Sequence, residues 1–93
     1  MYVGVVHTIR DADGWMGMMR STDASSFPSG LELLSTGTSA DVDRAICVWR
    51  APSVETAQSV LDETVGQYAQ NDCFAVADET VTVAGPVTQA ASV

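Results

Sequence analysis

The chain has 93 residues, 46% of them apolar, with 12 acidic side chains against 4 arginines and no lysine, a formal charge of −8. That length allows one domain, burying roughly 60–65% of its unfolded surface, and the apolar content excludes a disordered chain. The charge weighs against binding nucleic acid or an anionic membrane, which need clustered basic groups, and no apolar run approaches the ~20 residues of a membrane span.

The first predicted strand is Tyr2–Ile9, Val-rich and closed by the turn-like Asp11-Ala12-Asp13-Gly14. Alternation puts Val3, Val5, His7 and Ile9 on one face, and Tyr2, Gly4, Val6 and Thr8 on the other. A short helix follows, with Asp11 or Asp13 as N-cap, carrying Trp15, Met18 and Met19 at helical spacing. Gly14 and Gly17 weaken it by about 1 kcal/mol each relative to alanine. Residues 21–30 form a loop, 31–36 a second strand and 37–43 a turn.

Arg44–Arg50 is the third strand. It is apolar on both faces, with Ala45, Cys47 and Trp49 opposite Ile46 and Val48, as in a strand covered from both sides. Pro52-Ser53 then opens a second helix, in which Val54, Ala57, Leu61, Val65 and Tyr68 form a single apolar stripe. That helix is expected to end around residues 69–71, leaving Asn71 in a loop, and a fourth strand to cover residues 73–77. Residues 80–83 alternate again as a short extra strand, and 84–93 read as an arm. The domain division is therefore 1–79 for an α+β domain and 80–93 for a C-terminal strand or arm.

The order strand, helix, strand, strand, helix, strand predicts a ferredoxin-like βαββαβ fold: a four-stranded antiparallel sheet with two helices on one face. The strands are apolar on both sides, so one face would lie bare, and a bare apolar sheet exceeds what a monomer tolerates. The expected solution is a homodimer with its two sheets face to face, a dimeric α+β barrel. Its interior is the expected pocket for a small apolar ligand. The third and fourth strands would flank the first, about 9–10 Å apart. That is beyond disulfide reach, so Cys47 and Cys73 are expected to be free, as in a reducing compartment. The first residues, Met1-Tyr2-Val3-Gly4, lack the basic start of a signal peptide, and the expected location is cytoplasmic.

Two readings fit the lysine-free acidity. One is a halophilic surface, suited to a cytoplasm at high salt. The other is drift in a high-GC genome. A melting curve against salt separates them, because only the halophilic chain loses stability sharply at low salt.

Four stretches are similar to a known family. They are Phe27-Pro28-Ser29-Gly30-Leu31-Glu32-Leu33, Arg44-Ala45-Ile46-Cys47-Val48-Trp49-Arg50-Ala51-Pro52-Ser53-Val54, and Leu61-Asp62 with Asn71-Asp72-Cys73-Phe74-Ala75-Val76. They resemble a family of small uncharacterised bacterial and archaeal proteins of the dimeric α+β-barrel superfamily, in which the Cys-x-Trp-x-Ala-Pro-Ser pattern is the most specific part. The resemblance runs from residue 2 to residue 78. It implies the ferredoxin-like dimer. Because some relatives bind nickel and more distant ones are cofactor-free monooxygenases, isomerases or polyketide cyclases, it opens those activities without choosing among them. The chain departs from the pattern at Arg50, where the family carries Glu, and in its Thr/Val tail.

His7, the sole histidine, is the candidate base, and the candidate ligand for nickel or another divalent metal across a subunit boundary, with Asp, Glu or Cys completing the shell. The plainer reading is a histidine satisfied by a hydrogen bond in or near the interface. The candidate pocket residues are His7, Trp49, Cys47 and Val5. In the cofactor-free monooxygenases of this superfamily a Trp, a His and an Asn share the pocket, and here Asn71 is expected in a loop, leaving that trio incomplete. Both site readings require His7 to face the dimer interior, not the helices. Met16, Met18 and Met19 read as core filler. Asp11-x-Asp13-Gly14 lacks the rest of a calcium loop.

Overall fold

The computed structural model describes residues 1–21 and 30–81. Strand β1 is Tyr2–Ile9, as its Val-rich alternation predicts. Helix α1, Ala12–Ser21, is capped by Asp11, whose Oδ1 accepts the Gly14 N–H at 2.9 Å. Strand β2, Glu32–Thr38, runs two residues beyond its predicted end, because Gly37 and Thr38 still pair with Ile46 and Ala45. Strand β3 is Arg44–Arg50. The turn before it is tied by the Ser39 hydroxyl, which accepts the backbone N–H groups of Asp43 and Arg44 at 3.1 and 3.0 Å.

Helix α2, Val54–Thr64, begins where predicted, with the Ser53 hydroxyl accepting the Thr56 N–H at 3.0 Å. It ends earlier than its stripe suggests. Val65 and Tyr68 belong to a tight turn in which the Tyr68 and Ala69 N–H groups both donate to the Val65 carbonyl. Gly66 permits that turn, since a Cβ there would run into the Asp62 carbonyl. Apolar spacing is the same whether the last contact comes from a helix or from the turn that follows it. Strand β4, Ala69–Val76, therefore starts four residues before its predicted position, and a 3₁₀ turn, Asp78–Thr80, follows. Thr80, the start of the extra strand predicted over 80–83, falls in that turn and Val81 caps it outside any strand; the rest of the prediction, with the arm, lies outside the described residues.

The strand order is β2-β3-β1-β4, antiparallel throughout. With both helices on one face this is the α+β, ferredoxin-like βαββαβ arrangement. Register places Val5 of the central strand opposite both Cys47 and Cys73, and both thiols are free. No helix among the described residues is long and apolar enough to cross a membrane.

The core lies between sheet and helices. Val3, Val5 and His7 from β1 meet Ala45, Cys47 and Trp49 from β3, Trp15 from α1, and Ala57 and Leu61 from α2. The opposite face carries Val6, Val48 and Val76, with Ile46 and Phe74 left 62% and 49% exposed. The Phe74 ring lies across Gly4 on that face, so close that a Cβ on residue 4 would fall 2.5 Å from it.

Candidate functional site

The side chains of His7 and Asn71 meet because β1 and β4 pair them directly. His7 is 1% exposed and Asn71 5%, so each needs its partners inside the protein. The Asp62 carboxylate on α2 accepts from Asn71 Nδ2 at 3.1 Å, which turns Asn71 Oδ1 toward His7 Nδ1, 2.6 Å away. A carbonyl oxygen only accepts, so Nδ1 carries the imidazole proton and Nε2 presents its lone pair. That lone pair faces Cys47 Sγ at 3.2 Å, and Thr36 Oγ1 lies 3.4 Å from the same sulfur. A chain of polar contacts thus runs from Asp62 through Asn71 and His7 to Cys47 and Thr36. Gln58 secures its outer end: its side-chain N–H donates to the Asn71 carbonyl at 2.7 Å, and its side-chain oxygen accepts the Cys73 N–H at 3.2 Å.

The Trp15 ring lies against His7, with centroids 4.9 Å apart at 51°, and its Nε1–H donates to Thr38 Oγ1 at 3.1 Å. Beside these rings is a cavity of about 190 Å³. Its sheet wall is His7, Cys47, Trp49, Leu33 and Thr36. Its helix side is Trp15, Met18, Met19 and Leu61, with Val65 from the turn after α2. Every one of these residues is uncharged while His7 is neutral.

Burial pulls His7 below its ordinary value, and the Asn71 hydrogen bond only partly offsets it. Burial also pushes the Cys47 thiol up, with the Thr36 hydroxyl opposing. The two groups therefore rest as neutral imidazole and neutral thiol. The unfolded chain accepts a proton at His7 near pH 6.5 and the native chain only at lower pH. His7 thus contributes stability that is present in full above about pH 6.5 and is lost as pH falls toward its folded value. Urea unfolding at pH 7.5 and pH 5 should show this component, and a His7→Gln variant should lose it while keeping the part that comes from carboxylates.

Three of the four candidate pocket residues, His7, Trp49 and Cys47, line one cavity, and the structure corrects the side of the sheet on which it lies. They face the helices, not the bare face where a partner's sheet would dock. Val5 shares that inner face, 1% exposed, without being among the cavity residues. The cross-boundary metal site fails on this geometry. Nδ1 of His7 faces Asn71, Nε2 faces Cys47, and no group of three or more His, Cys, Asp or Glu able to hold a metal exists among the described residues. The base reading, in the form that needed a sheet-to-sheet pocket, fails with it. A second correction concerns Asn71. It is a strand residue hydrogen-bonded to His7, and it supports the imidazole from behind without being among the residues that line the cavity.

Comparison of the chain with protein-family models, curated proteins and solved structures finds no match to any of them.

Proposed function

We propose that this chain is a homodimeric α+β-barrel protein that takes one small, uncharged, single-ring ligand per subunit in the cavity between sheet and helices. The observation that carries this reading is the cavity itself: about 190 Å³ of space walled by indole, thioether and aliphatic groups beside a neutral imidazole and thiol. A dry apolar cavity of ~150 Å³ takes up benzene, so this one suits a single ring with a short substituent. Substrates of three or more fused rings are too large for it. The polar pair supplies the orienting contact that small-molecule sites carry on otherwise apolar walls.

Thermal unfolding in the presence of ring compounds tests the reading. Benzene, phenol or cyclohexanone at 100 times its dissociation constant should stabilise the fold by about 2.7 kcal/mol, while anthracene and charged benzoate should leave the melting temperature unchanged. A series in which size and charge make no difference would contradict it.

Dimerisation rests on the bare sheet face. Four strands about 4.8 Å apart and seven residues long, at ~3.4 Å each, give roughly 450 Å² in flat projection. A pair of such faces approaches the ~1,000 Å² of a specific interface before side-chain relief is counted. The occupant it fits best is a second copy of the same face, since Arg44 and Asp72 lie at its edges on β3 and β4 and can pair across a two-fold axis. Every acidic side chain among the described residues is exposed, which suits an acidic coat around such an assembly, whether its origin is halophilic or compositional.

The His7, Asn71 and Trp15 cluster favours a second reading, a cofactor-free monooxygenase-like oxidation of a one-ring phenol with His7 as base. Oxygen uptake on adding a hydroquinone, abolished by His7→Gln, would carry it; its absence would leave the binding reading alone.

A further inference from the structure

Cys47 has more around it than a buried structural thiol requires. A cysteine that only fills space sits among apolar atoms. This one lies 3.2 Å from the free lone pair of an imidazole and 3.4 Å from a hydroxyl, on the wall of a cavity. The imidazole tautomer that leaves Nε2 free is imposed from the far side by Asn71, which Asp62 in turn orients. Nucleophile, base and orienting amide are thus in sequence and in hydrogen-bond reach, the arrangement that activates a thiol for covalent chemistry.

We propose that Cys47 is a nucleophile acting on small, uncharged α,β-unsaturated carbonyl compounds, with His7 as its base and Asn71 as the positioning residue that fixes the imidazole. The proposal rests on the cavity being a ligand site, and it names the chemical class of ligand. The class follows from the surroundings. An uncharged cavity of about 190 Å³ admits a short enal or a cyclic enone and refuses charged electrophiles. Conjugate addition also requires neither a leaving group nor a water molecule. As the S–C bond forms at the β-carbon, the thiol proton passes to His7 Nε2 and the C=C electron pair moves onto the carbonyl as an enolate. His7 then returns the proton to the α-carbon. The S–H bond has been added across the double bond, with no oxidant or reductant consumed.

The second cysteine provides an internal control. Cys73 is more exposed than Cys47, but it has no imidazole partner, and its thiol is pushed up to about 11 by burial and by the negative charges of Asp62 and Asp72. The ionisable groups around the reactive pair are few: Asp62 on α2, reached through Asn71, and Cys73 across Val5.

The test is incubation of the full chain with cyclohex-2-enone, followed by intact mass measurement and peptide mapping across pH. One adduct per chain is expected, on Cys47, forming at least tenfold faster than on Cys73. The rate should rise with pH while His7 loses its proton and then stay level until the thiol itself ionises; an unassisted thiol gains tenfold per pH unit throughout. This profile needs no variant. His7→Gln should slow Cys47 at least tenfold and restore the unassisted slope. Asn71→Asp should move the onset of the level region to higher pH, because a carboxylate holds the imidazolium. Adducts spread equally over both cysteines, or a Cys47 rate that rises without a level region, would overturn the proposal. Cyclohexanone, of the same size without the double bond, separates the two claims. Stabilisation by cyclohexanone with no enone adduct overturns the covalent step and leaves the ligand cavity standing, while neither stabilisation nor adduct overturns both.

Discussion

Trp15→Ala is expected to lower the free energy of unfolding by about 3–5 kcal/mol, a large share of the 5–15 kcal/mol that domains of this kind hold. Three effects combine at this one side chain. The indole is 1% exposed, so its removal costs both transfer free energy and an enlarged cavity. Its Nε1–H bond to Thr38 is lost, and its ring contact with His7 goes with it. The third effect is local. Helix α1 has only ten residues and contains Gly14 and Gly17, and a helix so short is marginal without tertiary contacts. Trp15 is its one fully buried residue, with Met16, Met18 and Met19 packed more peripherally against the core. Urea unfolding followed by Trp49 fluorescence reads the result directly. A loss below about 1 kcal/mol would mean that α1 is held by something other than this residue.

Ile46→Asp is expected to leave the subunit folded and abolish the dimer. Ile46 is 62% exposed in the single chain, so a carboxylate there stays in water and costs the monomer little. It lies beside Val6 of the central strand, inside the face assigned to the partner. A two-fold interface would bury the substituted side chain twice, and Arg44, the cation two residues away on the same face of β3, is already taken by the pairing with Asp72. Leaving one buried charge unpaired costs about 3–5 kcal/mol, so the dissociation constant should rise by roughly a thousandfold or more. Sedimentation of wild type and variant over a micromolar concentration range decides the matter. A wild-type chain that remains monomeric at high concentration would remove the dimer from the account while leaving the cavity in place.

Much of the fold was legible in the chain. The Val-rich alternation of β1, the double-sided apolar run of β3 and the Ser53 cap of α2 are local signals, and local signals survive folding. Two features of the site differ from what the sequence predicts. The apolar stripe of the second helix, followed to residues 69–71, puts Asn71 in the loop before a strand that starts at Cys73, and Gln70, Asn71 and Asp72 are polar neighbours with poor strand propensity. Pairing with β1 overrides that preference and puts Asn71 inward, while Gln70 and Asp72 point out. The side of the sheet that the helices cover is the second difference, and the sequence carries a signal for it. Arg44 and Arg50 occupy the same face of β3 as Ile46 and Val48. The charge-free face, Ala45, Cys47 and Trp49, is therefore the one to bury fully, and register carries Val3, Val5 and His7 with it. The 3.2 Å approach of Cys47 to His7 had no local signal at all, since 40 residues separate them and only the strand order brings them together.

The central claim is that the ligand site lies between sheet and helices, within one subunit. The most direct measurement is a set of intermolecular nuclear Overhauser effects between bound phenol or cyclohexanone and the protein. Cross-peaks are expected to the Trp15 and Trp49 rings and to the Met18 and Met19 methyls, and none to Ile46 or Phe74. Cross-peaks to Ile46 and Phe74, with the indoles and methionines silent, would contradict that claim and return the pocket to the space between two sheets.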